Sequence, residues 1–306
     1  MSARWSVAPA AGSPFAGELD GPVWDGRALL FCNASQNELW RYDDTAGAAA
    51  PARSQTVRTR GLALAPDGRL YGAQTRARRI VWYRDDGASY YVESTIDGQR
   101  RNDPLHLVVD GAGRIWSTDR WTEESNGGPV GYPPLPYRAV LRLDPTGARN
   151  ADAVGGWTLR RMTDDTTSPH GIALSPDERT LYVSDDGDAA TSPTLRAYPI
   201  GDGGQLSSAT ILRRYAAGDG ASGIAVAADG TVVVVAGAPG SANGARMETI
   251  GPDGGVGTTF ALATGAPTAC AFGGAGLDVL FVTTATGELI RVTGTGLRGR
   301  AIGRTT

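Results

Sequence analysis

The chain has 306 residues, 20% of them charged and 41% hydrophobic, with a formal net charge of −3. That is the composition of a globular protein with ample core, and it lacks the basic footprint of a nucleic-acid binder. All 29 basic residues are arginine, which excludes a Schiff-base lysine and a phosphate-binding P-loop.

Taken in order, residues 1–17 carry no apolar run of the length a signal peptide needs, and no segment approaches the roughly 18 apolar residues of a membrane helix. The expectation is a cytoplasmic protein without a membrane partner. From residue 20 a pattern begins: DGPVWDG, then ALLFCNAS, then ELWRYDD. It returns as GLALAPDGRLYGAQ and RIVWYRDDG from 61, PLHLVVDGAGRIWSTD and AVLRLDPTG from 104, and PHGIALSPDERTLYVSDD and TLRAYPIGDGG from 169. Two more copies follow: ASGIAVAADGTVVVVAG and ARMETIGPDGG from 221, and PTACAFGGAGLDVLFVTT and GELIRVT from 267.

Each copy reads as a short apolar strand, a Pro-Asp or Asp-Gly turn, a second strand, a loop and a third strand, with a fourth strand in the variable linker. A period of about 40–50 residues is the signature of a repeat architecture. Four-stranded units repeated radially make a propeller. The prediction is an all-β, six-bladed β-propeller of four-stranded antiparallel blades around a central tunnel, one domain over 1–306. The segment before residue 20 is expected to complete a blade together with the last residues and so close the ring. Cys32 and Cys270 read as two buried thiols of a reducing compartment.

In such a fold the residues that start the first strand of each unit face the tunnel. The only two histidines, His106 and His170, fall at or beside such starts, as do Asp20, Arg60 and Ser222. An imidazole oriented and polarised by a carboxylate suits acid/base work near neutral pH. The plainer readings are a structural hydrogen bond for His106 and a turn cap for Asp20. The longest insertion, 121–137 (WTEESNGGPVGYPPLPY), is expected to fold over the pocket mouth. Its rings Trp121, Tyr132 and Tyr137 would favour a planar or apolar substrate if they face inward. No Gly-x-Ser-x-Gly elbow, Cys-x-x-Cys pair or His-Glu-x-x-His helix occurs.

The runs DGPVWDG, GLALAPDGRLYGA, RRNDPLHLVVDGAGRIWSTD, LRLDPTG and SPHGIALSPDERTLYVSDD, in this order and spacing, resemble the SMP-30/gluconolactonase/luciferin-regenerating-enzyme family. The resemblance implies a six-bladed propeller that hydrolyses lactones or related small esters. It also implies a divalent metal, usually calcium, at one end of the tunnel. The chain departs from the family pattern at the ligands. Asp20 stands for a glutamate, Leu105 for an asparagine, His106 for an aspartate, His170 for an asparagine and Ser222 for an aspartate. Calcium takes six to eight oxygens, several of them charged, so a family-type calcium site is expected to be lost. What remains is either no metal or one divalent metal on Asp20 and His170, zinc being better suited than calcium.

The expected catalytic set is therefore an Asp20/His170 pair with His106 behind it. Arg60, Arg101, Asn102, Leu105, Asp119, Trp121, Tyr137 and Ser222 are the expected substrate contacts; Arg101 and Asp119 enter through the resemblance. The partner is a small molecule, not nucleic acid. Three functions stay open at this point: a lactone or small-ester hydrolase, a metal-independent biosynthetic cyclase, isomerase or condensing enzyme with His170 as acid/base, and a non-catalytic binding propeller.

Overall fold

Six times along the chain, short β-branched and aromatic runs bounded by Asp-Gly turns pair into an antiparallel sheet. The computed structural model describes residues 5–10, 15–92, 95–121, 134–147, 156–263 and 265–301. Every regular element of more than one residue pair among them is a strand, and no helix long and apolar enough to cross a membrane occurs there.

The first blade is β2 (Leu19–Trp24), β3 (Leu29–Asn33), β4 (Glu38–Asp43) and β5 (Ala48–Arg53). The second runs β6 (Thr59–Leu64) to β9 (Ser89–Val92), and the third β10 (Asp103–Val109), β11 (Ile115–Arg120), β12 (Ala139–Pro145) and β13 (Trp157–Arg161). The fourth begins with β14 (Pro169–Leu174) and β15 (Thr180–Asp185), and the fifth with β18 (Ala221–Val226). The sixth is closed as the sequence predicts: β22 (Pro267–Gly273), β23 (Val279–Thr284) and β24 (Leu289–Thr293) take β1 (Ser6–Pro9) as their outer strand, with Val7 opposite Val292. Pairing β1 with β24 completes the sixth sheet and joins the beginning and the end of the described chain in one blade.

The core is divided into clusters between neighbouring blades rather than one central mass. Leu19, Leu29 and Phe31 of the first blade pack on Phe281 and Leu289 of the sixth, with Trp24 stacked on Phe281 at 6.2 Å. Cys32 and Cys270 are buried and unbridged, each in a different cluster.

The six inner strands approach one another very closely. A Cβ on Gly61 would lie 2.5 Å from the Leu105 carbonyl oxygen, and one on Gly223 2.5 Å from the Ala269 Cα. Real side chains do not tolerate such contacts, so the position held by Gly21, Gly61, Gly171 and Gly223 in their inner strands is restricted to the smallest residues. The unit that begins at 104 breaks this rule by placing His106 there. One irregularity recurs in all six blades: the register between the first and second strands slips near the start of the inner strand, between Asp20 and Val23, Thr59 and Leu62, Pro104 and Leu107, Pro169 and Ile172, Ala221 and Gly223, and Pro267 and Ala269. A bulge bends a strand and re-aims its side chains. Here it turns the residues at the inner-strand starts onto one mouth of the tunnel.

Candidate active site

The mouth holds a cavity of about 400 Å³ whose walls include Glu18, Arg60, Arg120, His170, Asp186, Ser222 and Thr268. Arg60, His170, Ser222 and Thr268 occupy the bulge position of the second, fourth, fifth and sixth inner strands. Arg120 and Asp186 arrive differently. Because the second strand of a blade runs antiparallel to the first, its last residues lie beside the first strand's beginning: Arg120 pairs with Asp103, and Asp186 follows Asp185, which pairs with Pro169.

Two carboxylate–imidazole pairs meet here, one in the cavity wall and one buried behind it. Asp20 is fully buried. Its Oδ1 accepts from the backbone N–H of Gly21 at 2.8 Å and lies 2.8 Å from His106 Nε2, while Oδ2 lies 3.4 Å from Arg60 Nη1. Arg60 Nη2 donates to Glu18 Oε2 at 2.6 Å, so one guanidinium bridges two carboxylates. On the other side His170 Nδ1 lies 2.8 Å from Asp186 Oδ2, which also lies 3.2 Å from Arg120 Nη1. The two imidazole rings are 5.5 Å apart.

Burial alone would raise the Asp20 carboxyl, but His106, Arg60 and His170 outweigh it and hold the group at about 2. Asp20 is therefore an anion at neutral pH, an acceptor only, and His106 must donate to it through Nε2–H. For His170 the balance falls the other way. Burial depresses the imidazole below its usual 6.5, and Arg120 and His106 add to this, more than the opposing pull of Asp186. Burial also tends to raise Asp186, but His170 and Arg120 keep it below the ordinary carboxylate value. A neutral imidazole beside an anionic carboxylate donates Nδ1–H to it, which fixes the tautomer and leaves the lone pair on Nε2. Among the described residues no protein group hydrogen-bonds that nitrogen.

The structure thus pairs the expected residues differently. The sequence reading joined Asp20 to His170 and set His106 behind them. The observed partner of Asp20 is His106, and that of His170 is Asp186. The reason is the one-residue offset between the histidines: His170 takes the bulge position, whereas His106 takes the next one, reserved for Gly61, Gly171 and Gly223 elsewhere, and turns along the tunnel. It lines a second cavity, of about 500 Å³, at the turn end of the inner strands.

Of the expected substrate contacts, Arg60 and Ser222 line the mouth. The Ser222 hydroxyl donates to the Pro267 carbonyl at 2.5 Å and so ties the fifth blade to the sixth. Leu105 holds the bulge position of its strand but is fully buried. Arg101 is buried and donates to Ser117 Oγ at 2.8 Å. Asn102 holds the far end of the 121–137 insertion: its side chain donates to the Tyr137 carbonyl and accepts from Leu135 N, while its own N–H donates to Asp119 at 2.7 Å. Burial pushes Asp119 up to about 7, against the pull of Arg101 and the Asn102 N–H. Trp121 lies under the Arg78 guanidinium and Tyr137 under that of Arg161. None of these six lines the mouth cavity as the described residues bound it. Residues 122–133 of the insertion, including Tyr132, lie outside the described residues.

The residues at the mouth do not fit the divalent cation that the resemblance implies. Among the described residues no three His, Cys, Asp or Glu side chains converge in a way that could hold a metal ion. Both Asp20 oxygens are engaged, one by His106 and Gly21 and one by Arg60. A dication bound at Oδ2 would stand roughly 5 Å from that guanidinium, a repulsion of about 7 kcal/mol at an effective dielectric of 20.

Comparison with known proteins agrees with the fold. The family described as SMP-30/Gluconolactonase/LRE-like region matches residues 19–286. A gluconolactonase of Zymomonas mobilis subsp. mobilis is 28% identical over 182 residues, which are 54% of this chain and 48% of that protein, so the match spans about half the length of that relative. A solved gluconolactonase from Xanthomonas campestris superimposes with a TM-score of 0.78 at 25% identity, over 94% of this chain and 89% of that one. A calcium-binding protein, regucalcin, from Agrobacterium tumefaciens shares the fold with a TM-score of 0.69 at 18% identity, over 96% and 98% of the two chains.

Proposed function

This chain belongs to the SMP-30/gluconolactonase/LRE-like family, and we propose that it hydrolyses a lactone or small ester at the tunnel mouth, with His170 as general base. The observation that carries the reading is the 2.8 Å bond from His170 Nδ1 to Asp186 in the wall of a cavity with two guanidinium groups. The activity of gluconolactonases at 25–28% identity supports the substrate class, and a cavity of about 400 Å³ is of the size that encloses a small molecule.

The chemistry follows from the tautomer. A water on His170 Nε2 gives up a proton as its oxygen attacks the ester carbonyl carbon. Asp186 keeps the ring oriented and stabilises the imidazolium that forms, a role that needs a carboxylate on Nδ1. The carbonyl oxygen becomes an oxyanion, and Arg60 and Arg120 supply the positive charge lining the cavity; each guanidinium has five donors, not all taken by Glu18 and Asp20 at Arg60 or by Asp186 at Arg120. The C–O bond to the leaving alkoxide then breaks, and His170 returns the proton to that oxygen, giving a hydroxy acid from a lactone. Trp121 and Tyr137 are each engaged with an arginine and do not line the cavity, which weighs against a planar polycyclic substrate.

The test is acid release in a pH-stat with glucono-1,5-lactone, simple γ-lactones and 4-nitrophenyl acetate, on the native protein and on His170→Ala. Loss of a general base lowers the rate by about 10²–10⁴-fold. If the native protein leaves all of these untouched, or His170→Ala turns them over at the native rate, the proposal fails.

A further inference from the structure

We propose that Arg60 is a built-in substitute for the divalent cation of this architecture: its guanidinium bridges the Asp20 and Glu18 carboxylates at the tunnel mouth, offsets part of their charge and keeps metal out of it. The inference concerns charge at the mouth and holds whatever substrate the cavity takes.

Three observations carry it. First, the guanidinium sits between two acids from a neighbouring blade, at 2.6 Å from Glu18 Oε2 and 3.4 Å from Asp20 Oδ2. Its reach from β6 to β2 makes it a bridge between blades, as a bound ion would be. Second, Asp20 is wholly enclosed and Arg60 nearly so, with side-chain exposures of 0% and 13%. A carboxylate so deprived of water needs a compensating cation, because an unpaired buried charge is far more costly than a paired one. Third, the remaining Asp20 oxygen is taken by the Gly21 N–H and by His106, so the carboxylate is satisfied without any further ligand. Arg60 belongs to no turn or cap that would otherwise account for it. Its sequence position, directly before Gly61, is the bulge position that aims a side chain into the mouth.

The arrangement also has a chemical consequence. A coordinated metal is exchangeable and can be removed by chelators, and its affinity depends on pH through its ligands. A guanidinium is permanently charged and covalently part of the chain. The positive charge at this mouth is therefore constant, insensitive to metal supply.

Removing Arg60 leaves Glu18 without its guanidinium partner and frees Asp20 Oδ2, while Oδ1 keeps His106 and Gly21; the freed oxygens are hard ligands for calcium or manganese. The test is isothermal titration and thermal unfolding with calcium chloride or manganese chloride alone, on the native chain, Arg60→Ala, Arg60→Lys and the double variant Arg60→Ala/Glu18→Gln. The expected result is no saturable binding to the native chain or to Arg60→Lys. Arg60→Ala should bind one ion per chain, at least about 10-fold more tightly than the double variant, and its melting temperature should rise with the metal; weak protein calcium sites fall at about 10⁻⁴–10⁻³ M. If the native chain binds one divalent ion as tightly as Arg60→Ala, or a folded Arg60→Ala binds none, the proposal is overturned. Should Arg60→Ala not fold in buffer, refolding on adding either salt supports it, and no rescue by either salt counts against it.

Discussion

Replacing Asp186 by Asn probes the site where geometry and protonation meet. The substitution keeps size and one acceptor oxygen but removes the charge that His170 Nδ1 faces at 2.8 Å and that Arg120 faces at 3.2 Å. A hydrogen bond to a charged group contributes about 1.5–3 kcal/mol, or roughly 10- to 150-fold in rate if it is made fully in the transition state. The Asp186 side chain is 33% exposed, and solvent screening places the electrostatic part toward the lower figure. Loss of the fixed tautomer adds to it, since Asn can also donate and so permits the ring to turn its proton to Nε2. The direction of the pH shift is determined as well. Asp186 raises His170, against the burial that lowers it. Without the carboxylate the imidazole falls further, so the acid limb of kcat/KM moves to lower pH while its plateau drops. The assay is the pH profile of lactone hydrolysis for the native protein and for Asp186→Asn, with Asp186→Glu as the charge-retaining control. An unchanged plateau, or an acid limb that moves to higher pH, refutes the reasoning.

Two further predictions concern stability. Asp20 lies at about 2 in the folded chain against 3.8 in its absence, so its ionisation contributes about 2 kcal/mol. That contribution is present above pH ~4 and lost as the pH falls toward 2; in chemical denaturation Asp20→Asn should flatten this part of the acid limb. Asp119 behaves oppositely. Its folded value is raised to about 7, so stability falls as the pH rises from ~4 to ~7 and the full penalty persists above. Asp119→Asn should remove that slope and melt at a higher temperature than the native protein at pH 8; a lower melting temperature there would contradict the account.

The blades were legible because their chemistry is local and repeated: a Pro-Asp or Asp-Gly turn between two apolar runs predicts the same hairpin at 61, 169 and 221, and the structure has it at each. The pairing inside the mouth was less so. The one-residue offset between the histidines is visible as PLH against PHG, but which carboxylate each imidazole faces depends on how the strand ends meet in three dimensions, which no local motif encodes. Arg120 and Asp186 stand at the ends of the second strands of their blades, away from the first-strand starts that carry most of the expected site. A usable signal was present: in an antiparallel blade the end of the second strand borders the start of the first, so the residues that close WSTDR and VSDD had to stand at the same mouth. Glu18 could have been found likewise, two positions before Asp20 in the strand's lead-in.

The most direct test is of the two imidazoles themselves, made simple because the chain has only two histidines. Long-range ¹H–¹⁵N correlation spectra of histidine-labelled protein report which nitrogen carries the proton, and a His106→Asn variant assigns the signals. The account predicts His170 as a neutral ring protonated on Nδ1 at pH 7, with His106 protonated on Nε2 toward Asp20. A His170 ring that is charged at pH 7, or neutral with its proton on Nε2, would contradict it.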